Sequence, residues 1–225
     1  MNVLTATQLA KRLGISSRRA RDLLRTDAIA GHQLPNGTWL ADTDSVIRYE
    51  MNAERGSGRT LDPATAWGLL WELSGREAVW LTARTRARVR RRIRDSDAGE
   101  ITRAVSQRSR TYRYSAANAE RAAEGVIMTG RPVAHLVDSD LIEDRRRVCG
   151  YVSGDVGDYA KSHFMVAKTN GQDLLFENTL PVQYGSKVMP EAVIAADLAL
   201  SINTRERSAA LRVLEELRSR WLANR

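Results

Sequence analysis

Near the start of the chain, apolar side chains at helical spacing follow polar residues of the kind that begin a helix. Leu9 and Leu13 are four positions apart, which puts both on one face of a helix. Thr5 followed by Gln8 is the signature of a capping box, so the helix should begin near Ala6. The pattern predicts a short amphipathic helix at the start of the chain.

A second short helix is predicted after Gly14, which can adopt the left-handed conformation that ends a helix. Ser16 is a preferred N-cap residue. Helical spacing then turns Ala20, Leu23 and Leu24 inward. The second helix carries the arginines Arg18, Arg19, Arg21 and Arg25, and its outward face consists of Ser17, Arg18, Arg21 and Arg25.

Two short helices joined by a tight turn are typical of a helix-turn-helix, whose second helix enters the DNA major groove. Arginine pairs with phosphate, or bidentately with guanine O6 and N7. The alternative is a basic helix face that only contacts solvent. We expect the second helix to contact double-stranded DNA through Ser17, Arg18, Arg19, Arg21 and Arg25.

The segment Ile29 to Leu40 predicts a β-hairpin. Asn36 and Gly37 both tolerate positive φ, which favours a two-residue turn at its tip. Trp39 is expected to pack beneath the hairpin rather than to contact DNA. The hairpin therefore predicts a wing beside the two helices.

A third short helix is predicted over about 45–49, capped by residues 42–44. Helix-turn-helix, hairpin and closing helix, in this order, resemble the winged modules of excisionases and related regulators over 3–50. The resemblance implies a recognition helix in the major groove and a wing tip at the neighbouring backbone. Carried over by position, it implies DNA contacts from Ser17, Arg18, Arg21, Asn36, Gly37 and Thr38.

The remaining chain predicts a second domain and a reducing environment. At 225 residues there is room for two domains, and the polar, glycine-containing segment 51–60 predicts a linker between 1–50 and 61–225. The single cysteine, Cys149, excludes an intrachain disulfide. With no signal-peptide pattern and no apolar run of membrane-spanning length, we expect a cytoplasmic bacterial protein that contacts no membrane.

The net charge of +8 is concentrated in one block. Residues 84–113 contain 11 arginines and 3 acidic residues, whereas the segments on either side are nearly neutral. Val89 and Ile93 predict the buried face of a basic helix. This concentration of positive charge implies an anionic partner, which could be DNA, RNA or an acidic protein. The alternative is a charged face that only contacts solvent. The predicted patch is Arg84, Arg86, Arg88, Arg90, Arg91, Arg92 and Arg94.

Helix and strand signals mix in the rest of the second domain, and Trp67 and Trp71 predict core positions. We therefore expect an α+β protein: an N-terminal winged helix-turn-helix domain followed by a larger, mixed, mainly helical α/β domain. The further predicted elements are a helix at 98–108 with Arg103 and Arg108 outward, strands at 111–114, 126–128 and 147–152, a helix from Ser115 to Gly125, a hairpin at 163–180 around Asn170-Gly171, and a C-terminal helical hairpin at 190–222.

No residue set has the spacing of a catalytic or metal site. Cys149, in an apolar strand pattern, is typical of a small buried side chain. Gly185-Ser186 matches the start of a nucleotidyltransferase site, but the carboxylate pair that would hold magnesium does not follow. Asp197 is expected to cap or pair between the last two helices. We expect no catalysis, no metal and no cofactor; the isolated histidines are His32, His135 and His163.

The segment 195–217, AADLALSINTRERSAALRVLEEL, together with the middle segment 124–151, resembles the antitoxins of the AbiE type. The excisionase-like wing departs from the winged helix usual in that family. The resemblance implies an autoregulatory repressor that binds an inverted-repeat operator as a homodimer and neutralises a nucleotidyltransferase toxin encoded next to it. The alternative is a stand-alone transcriptional regulator or an excisionase-like architectural factor. The matching positions are Asp197, Leu198, Ala199, Ser201, Arg205, Arg207, Ala209, Ala210, Leu211 and Leu214.

Overall fold

The chain combines α-helices with two β-sheets and divides into two compact units, Met1–Ser57 (unit 1) and Gly58–Arg225 (unit 2). The boundary falls inside the predicted linker, of which 51–59 lie outside the described residues. Across the described residues, no helix is both long and apolar enough to cross a membrane. The computed structural model describes residues 3–26, 28–43, 45–46, 49–50, 60–168, 171–201 and 203–224.

Unit 1 contains the two predicted helices, preceded by a short strand. The capping box is confirmed: the Thr5 hydroxyl accepts from the Gln8 N–H at 3.3 Å, and Gln8 Oε1 accepts from the Thr5 N–H at 2.8 Å. Gly14 has φ 64° and the Ser16 hydroxyl caps the second helix, both as predicted. The elements are β1 (Val3–Thr5), α1 (Ala6–Leu13), α2 (Ser17–Arg25), β2 (Gly31–Gln33) and β3 (Trp39–Asp42).

A three-stranded antiparallel sheet and a helical segment complete unit 1. β3 lies between β1 and β2. Asp42 Oδ2 accepts from the Ser45 N–H at 3.2 Å and caps the helical residues that follow. The predicted cap residue Asp44, with Ile47 and Arg48 of the predicted third helix, lies outside the described residues. The core contains Leu9, Ala20, Leu23, Leu24, Ile29, Ala41 and Val46, with Trp39 half-buried against it.

Unit 2 contains six helices of seven or more residues among its described residues and a five-stranded sheet in the order β5-β6-β8-β4-β7. β6 and β8 are parallel and the other neighbours are antiparallel. The elements are α3 (Pro63–Leu73), α4 (Ala83–Asp95), α5 (Ala98–Val105), β4 (Thr111–Ala116), α6 (Ala119–Ala122), β5 (Ile127–Met128), a 3-10 helix (Arg131–Leu136), β6 (Cys149–Val152), α7 (Val156–Ser162), β7 (Met165–Ala167), β8 (Asp173–Glu177), α8 (Glu191–Leu198) and α9 (Thr204–Ala223).

The sheet of unit 2 is covered on both faces. One face, through Tyr151 and Phe176, joins the core formed by the long helices α3, α4, α5, α8 and α9. The other face, through Val152 and Leu175, packs against α7 and the segment around α6. Trp67 and Trp71 are buried in the helical core, as predicted. Successive residues of β6 and β8 therefore point alternately into the two cores, as in a sheet that is buried on both sides.

The predicted hairpin at 163–180 is wrong, because β7 and β8 do not pair with each other. β4 lies between them and pairs antiparallel with both. Asn170 of the supposed turn lies outside the described residues. A Cβ on Gly171 would lie 2.2 Å from the Tyr114 carbonyl oxygen, so Gly171 serves a close backbone approach to β4.

The predicted helix from Ser115 to Gly125 is also wrong at its start. Ser115 pairs with Val166 inside β4. The helix is the single turn α6, and Asn118 Oδ1 caps it by accepting from the Arg121 N–H at 3.0 Å. The hydroxyl of Ser115 suited a cap, but pairing with β7 extends β4 past it to Ala116.

Candidate nucleic-acid interface

The outward face of α2 is basic and exposed. The helix buries Ala20, Leu23 and Leu24 against the core of unit 1. Because the buried residues occupy one face, the opposite side and its flanks are left for a partner. The predicted contact residues Ser17, Arg18, Arg19, Arg21 and Arg25 are all exposed.

The four arginines of α2 differ in how far their charge is available. Arg25 forms an ion pair with Asp22 at 3.0 Å, one turn earlier. The Arg21 Nε donates to the Ser17 carbonyl oxygen at 3.2 Å, and Arg21 forms no ion pair with the described residues. Arg18 and Arg19 form no ion pair with the residues described in the structure. The free positive charge therefore lies in the N-terminal half of the helix.

The predicted two-residue turn at the hairpin tip is wrong, because the loop between Leu34 and Thr38 has three residues. The Gly37 N–H donates to the Leu34 carbonyl oxygen at 2.8 Å, and Gly37 rather than Asn36 has positive φ, at 81°. Pro35 fixes φ near −65°, which suits the second position of a type I turn. The left-handed position therefore moves to Gly37, as in three-residue hairpin loops.

The hairpin tip presents polar groups without a cation. Asn36 and Gly37 are exposed and Thr38 is half-buried. Asn36 Oδ1 accepts from the Thr38 N–H at 3.0 Å, and Gln33 Nε2 donates to the Gly37 carbonyl oxygen at 3.0 Å. The segment from Leu34 to Thr38 contains no lysine or arginine. The tip can contact a partner only by neutral hydrogen bonds.

In α4 the structure divides the seven predicted patch arginines into two groups. Arg90 donates to the buried carboxylate of Glu72 through Nε at 3.1 Å. Arg86 pairs with Glu77 and also donates to the Ala78 carbonyl oxygen at 3.2 Å. Arg92 is half-buried with its Nε in the interior. The ion pairs of Arg86 and Arg90 fix α4 to other segments of its own unit.

The other four arginines of α4 are exposed, and we call them the arginine ridge. Within the described part of the chain, none of the four forms an ion pair. Like charges at i,i+4 destabilise a helix by about 0.2–0.5 kcal/mol per pair, and the first turn of α4 holds no acid to complement the helix dipole. The mutual repulsion of the ridge arginines therefore lowers the stability of α4 itself. Its members are Arg84, Arg88, Arg91 and Arg94.

A buried polar network in unit 2 was not foreseen from the sequence. The prediction that Arg108 points outward is wrong, because α5 ends at Val105 and Arg108 is 2% exposed. Its guanidinium forms an ion pair with Asp197 of α8 and donates to the Tyr151 hydroxyl at 2.7 Å. Thr129 Oγ1 donates to Asp197 Oδ2 at 2.7 Å. The network joins four segments that are distant in sequence.

The charges of this network are fixed near neutral pH. Burial alone would lower the pKa of the Arg108 guanidinium, but the nearby Asp197 carboxylate raises it above its ordinary value. Burial, with the same carboxylate, raises the pKa of the Tyr151 hydroxyl well above its ordinary value. Tyr151 therefore stays neutral and donates to Asp197 Oδ2 at 3.0 Å. The network balances one cation against one anion, as a structural element does.

The described residues bring together neither a metal-binding cluster nor a reactive thiol. Among the described residues, no group of three or more His, Cys, Asp or Glu side chains could hold a metal ion. Burial raises the pKa of the Cys149 thiol well above its ordinary value, which disfavours the nucleophilic thiolate. A groove of about 1040 Å³ lies between α3 and the ends of α8 and α9. Its ion pairs Arg90–Glu72 and Arg220–Glu191 leave it with balanced charges.

The two exposed basic surfaces, on α2 and on α4, are the features whose chemistry points to a partner. Each includes exposed arginines that form no ion pair with the described residues: Arg18 and Arg19 on α2, and the four arginines of the ridge on α4. No family model matches the chain, and no curated protein or solved structure matches it either.

Proposed function

We propose that unit 1 is a winged helix-turn-helix that binds double-stranded DNA, with α2 in the major groove and the β2–β3 hairpin at the neighbouring backbone. The observation that carries the proposal is the exposed arginine face of α2, with Arg18 and Arg19 unpaired among the described residues. An α-helix is about 10–12 Å across, which the major groove, about 12 Å wide, accommodates. Recognition helices read bases with their N-terminal residues, and Ser17, Arg18 and Arg21 lie in that part of α2.

The first helix, α1, is a weaker candidate for base reading. Arg12 donates to both carboxylate oxygens of Glu50, each at 2.7 Å, so its charge is compensated within unit 1. The remaining cation of α1 is Lys11, which cannot form the bidentate contact that arginine makes with guanine. The charge distribution therefore favours α2 in the groove and α1 behind it.

The hairpin suits a supporting contact. Its tip lacks a cation, so it contributes hydrogen bonds to phosphate or sugar oxygens rather than charge. Asn36, Gly37 and Thr38 are the residues that would approach the backbone. In this proposal the protein acts by binding alone, as a cytoplasmic transcriptional repressor without catalysis or a cofactor.

A binding-site selection from random duplexes, followed by gel shifts, tests this proposal. We expect the full chain to enrich a defined motif, arranged as an inverted repeat if the protein binds as a dimer. We also expect the motif to occur upstream of the protein's own gene. Typical specific binding exceeds non-specific binding by about 10³-fold or more. Failure to enrich any motif at moderate salt would contradict the proposal.

For unit 2 we propose the antitoxin role that the AbiE-type resemblance implies. The residues of that resemblance support it, and α8 and α9 are helices where that segment predicts them. The experiment is co-expression with the neighbouring gene. Protection of cells from a toxic nucleotidyltransferase-like neighbour supports the role. A harmless or unrelated neighbour, with DNA binding intact, supports the stand-alone regulator instead.

A further inference from the structure

We propose that the arginine ridge of α4 is a second DNA-binding surface, which holds the phosphate backbone of a duplex without reading its sequence. The choice of DNA as the ligand rests on the function proposed for unit 1. The surface itself rests on separate observations in unit 2. These are the exposure of the ridge, its alignment along one helix face, and its lack of ion pairs within the described residues.

The ridge has the geometry of a line of charge. Arg84, Arg88 and Arg91 are spaced i, i+4, i+7, so they lie along one side of α4, and Arg94 flanks them. At about 1.5 Å rise per residue, the line from Arg84 to Arg91 is roughly 10 Å long. A duplex carries about one negative charge per 1.7 Å of its axis. A line of this length along a duplex therefore meets at least as many phosphates as it has guanidinium groups.

The surroundings of the ridge leave room for a backbone to approach. A depression of about 280 Å³ lies beside it, lined by Ala83, Ala87, Arg86, Arg90 and Arg94. The two alanines are exposed and short, so they do not obstruct contact. Arg86 and Arg90 are committed to Glu77 and Glu72, which keeps the helix in place while the ridge remains free.

The composition of α4 favours a duplex backbone over other anionic partners. Single-stranded nucleic acid is held largely by stacking of bases on aromatic side chains, and α4 contains none. Hot spots of protein interfaces are enriched in tryptophan and tyrosine as well as arginine, whereas α4 has no aromatic residue and buries its large apolar residues, Val89 and Ile93, in the core of unit 2. Guanidinium groups without either feature suit phosphate oxygens.

The test measures the salt dependence of DNA binding by the full chain carrying Arg84→Gln, Arg88→Gln and Arg91→Gln. Each neutralised phosphate contact contributes about 0.9 to the slope of log Kobs against log salt concentration. We expect the slope to become shallower by about 2–3, equally on a selected site and on an unrelated duplex. The corresponding triple Arg→Lys variant keeps the charge and should restore the slope.

A matched control removes the same charge elsewhere, with Arg145→Gln, Arg146→Gln and Lys161→Gln. These cations are exposed, and each lies beside its own carboxylate, so we expect the slope to change little. An unchanged slope in the ridge variant, or an equal change in both triples, overturns the proposal. So does preferential binding of RNA or of an acidic protein that the ridge variant abolishes while DNA binding persists. The function proposed for unit 1 fails separately, if no motif is enriched while the ridge still sets the salt slope.

Discussion

Replacing Asp197 by alanine should lower the free energy of unfolding of unit 2 by about 3–5 kcal/mol. Arg108 and Asp197 have side chains that are 3% and 4% exposed. Without Asp197, the guanidinium remains in the core, where no solvent can replace the lost carboxylate. Thr129 and Tyr151 would also lose the acceptor to which both donate. Removal of one partner from a buried pair is strongly destabilising for these reasons.

Urea unfolding followed by tryptophan fluorescence measures this loss, because Trp67, Trp71, Trp80 and Trp221 all report on unit 2. The control is Lys161→Ala on α7, whose ion pair with Asp158 joins side chains that are 82% and 79% exposed. Exposed pairs of this kind contribute about 0–1 kcal/mol.

A double variant distinguishes the buried charge from a general packing defect. Arg108→Met with Asp197→Leu removes both charges and keeps side-chain bulk, so we expect it to recover a large part of the loss. If Asp197→Ala were no more destabilising than Lys161→Ala, the network would not have the structural role described. A double variant as unstable as the single one would assign the loss to packing instead.

Changing Arg18 and Arg21 to lysine should reduce affinity for the selected DNA site by about 1–3 kcal/mol for each bidentate base contact that is lost. Lysine keeps the positive charge but cannot present the two parallel donors that guanine O6 and N7 accept. Binding to an unrelated duplex, which depends on phosphate contacts, should therefore change little.

Fluorescence anisotropy with the selected site and a scrambled duplex separates the two effects. Arg145→Lys with Arg146→Lys is the matched control, because these side chains are 84% and 93% exposed in unit 2. An equal loss on both duplexes would mean that α2 contacts only the backbone. An unchanged affinity for both would mean that α2 is not the recognition helix.

The starts of the two helices of unit 1 could be predicted from the sequence because caps are local. Thr5 with Gln8, and Ser16 with Arg19, hydrogen-bond within three residues along the chain, so the signal and its effect lie together. The buried faces of α2 and α4 followed from helical spacing for the same reason.

Strand order and side-chain partners could not be read in this way. The placement of β4 between β7 and β8 depends on pairing between residues 49 to 65 positions apart, on which local turn signals have no bearing. The division of the α4 arginines depends on Glu72 and Glu77, which belong to other segments. Nothing near Arg108 in the sequence distinguishes it from the neighbouring arginines, because its buried counter-charge, Asp197, lies in a distant segment.

Arg108 and Asp197 lie 89 residues apart in the chain, so the buried ion pair of unit 2 cannot form during synthesis until α8 has been made. At about 5–20 residues per second, a ribosome makes the second partner roughly 4–18 s after the first. Unit 1 draws its core from its own residues alone, so it can fold in this interval. Chains that stop before α8 would keep a finished unit 1 beside an incomplete unit 2. Such products would expose the apolar interior that α8 and α9 cover in the folded unit 2, and exposed interior of this kind is a substrate for proteases.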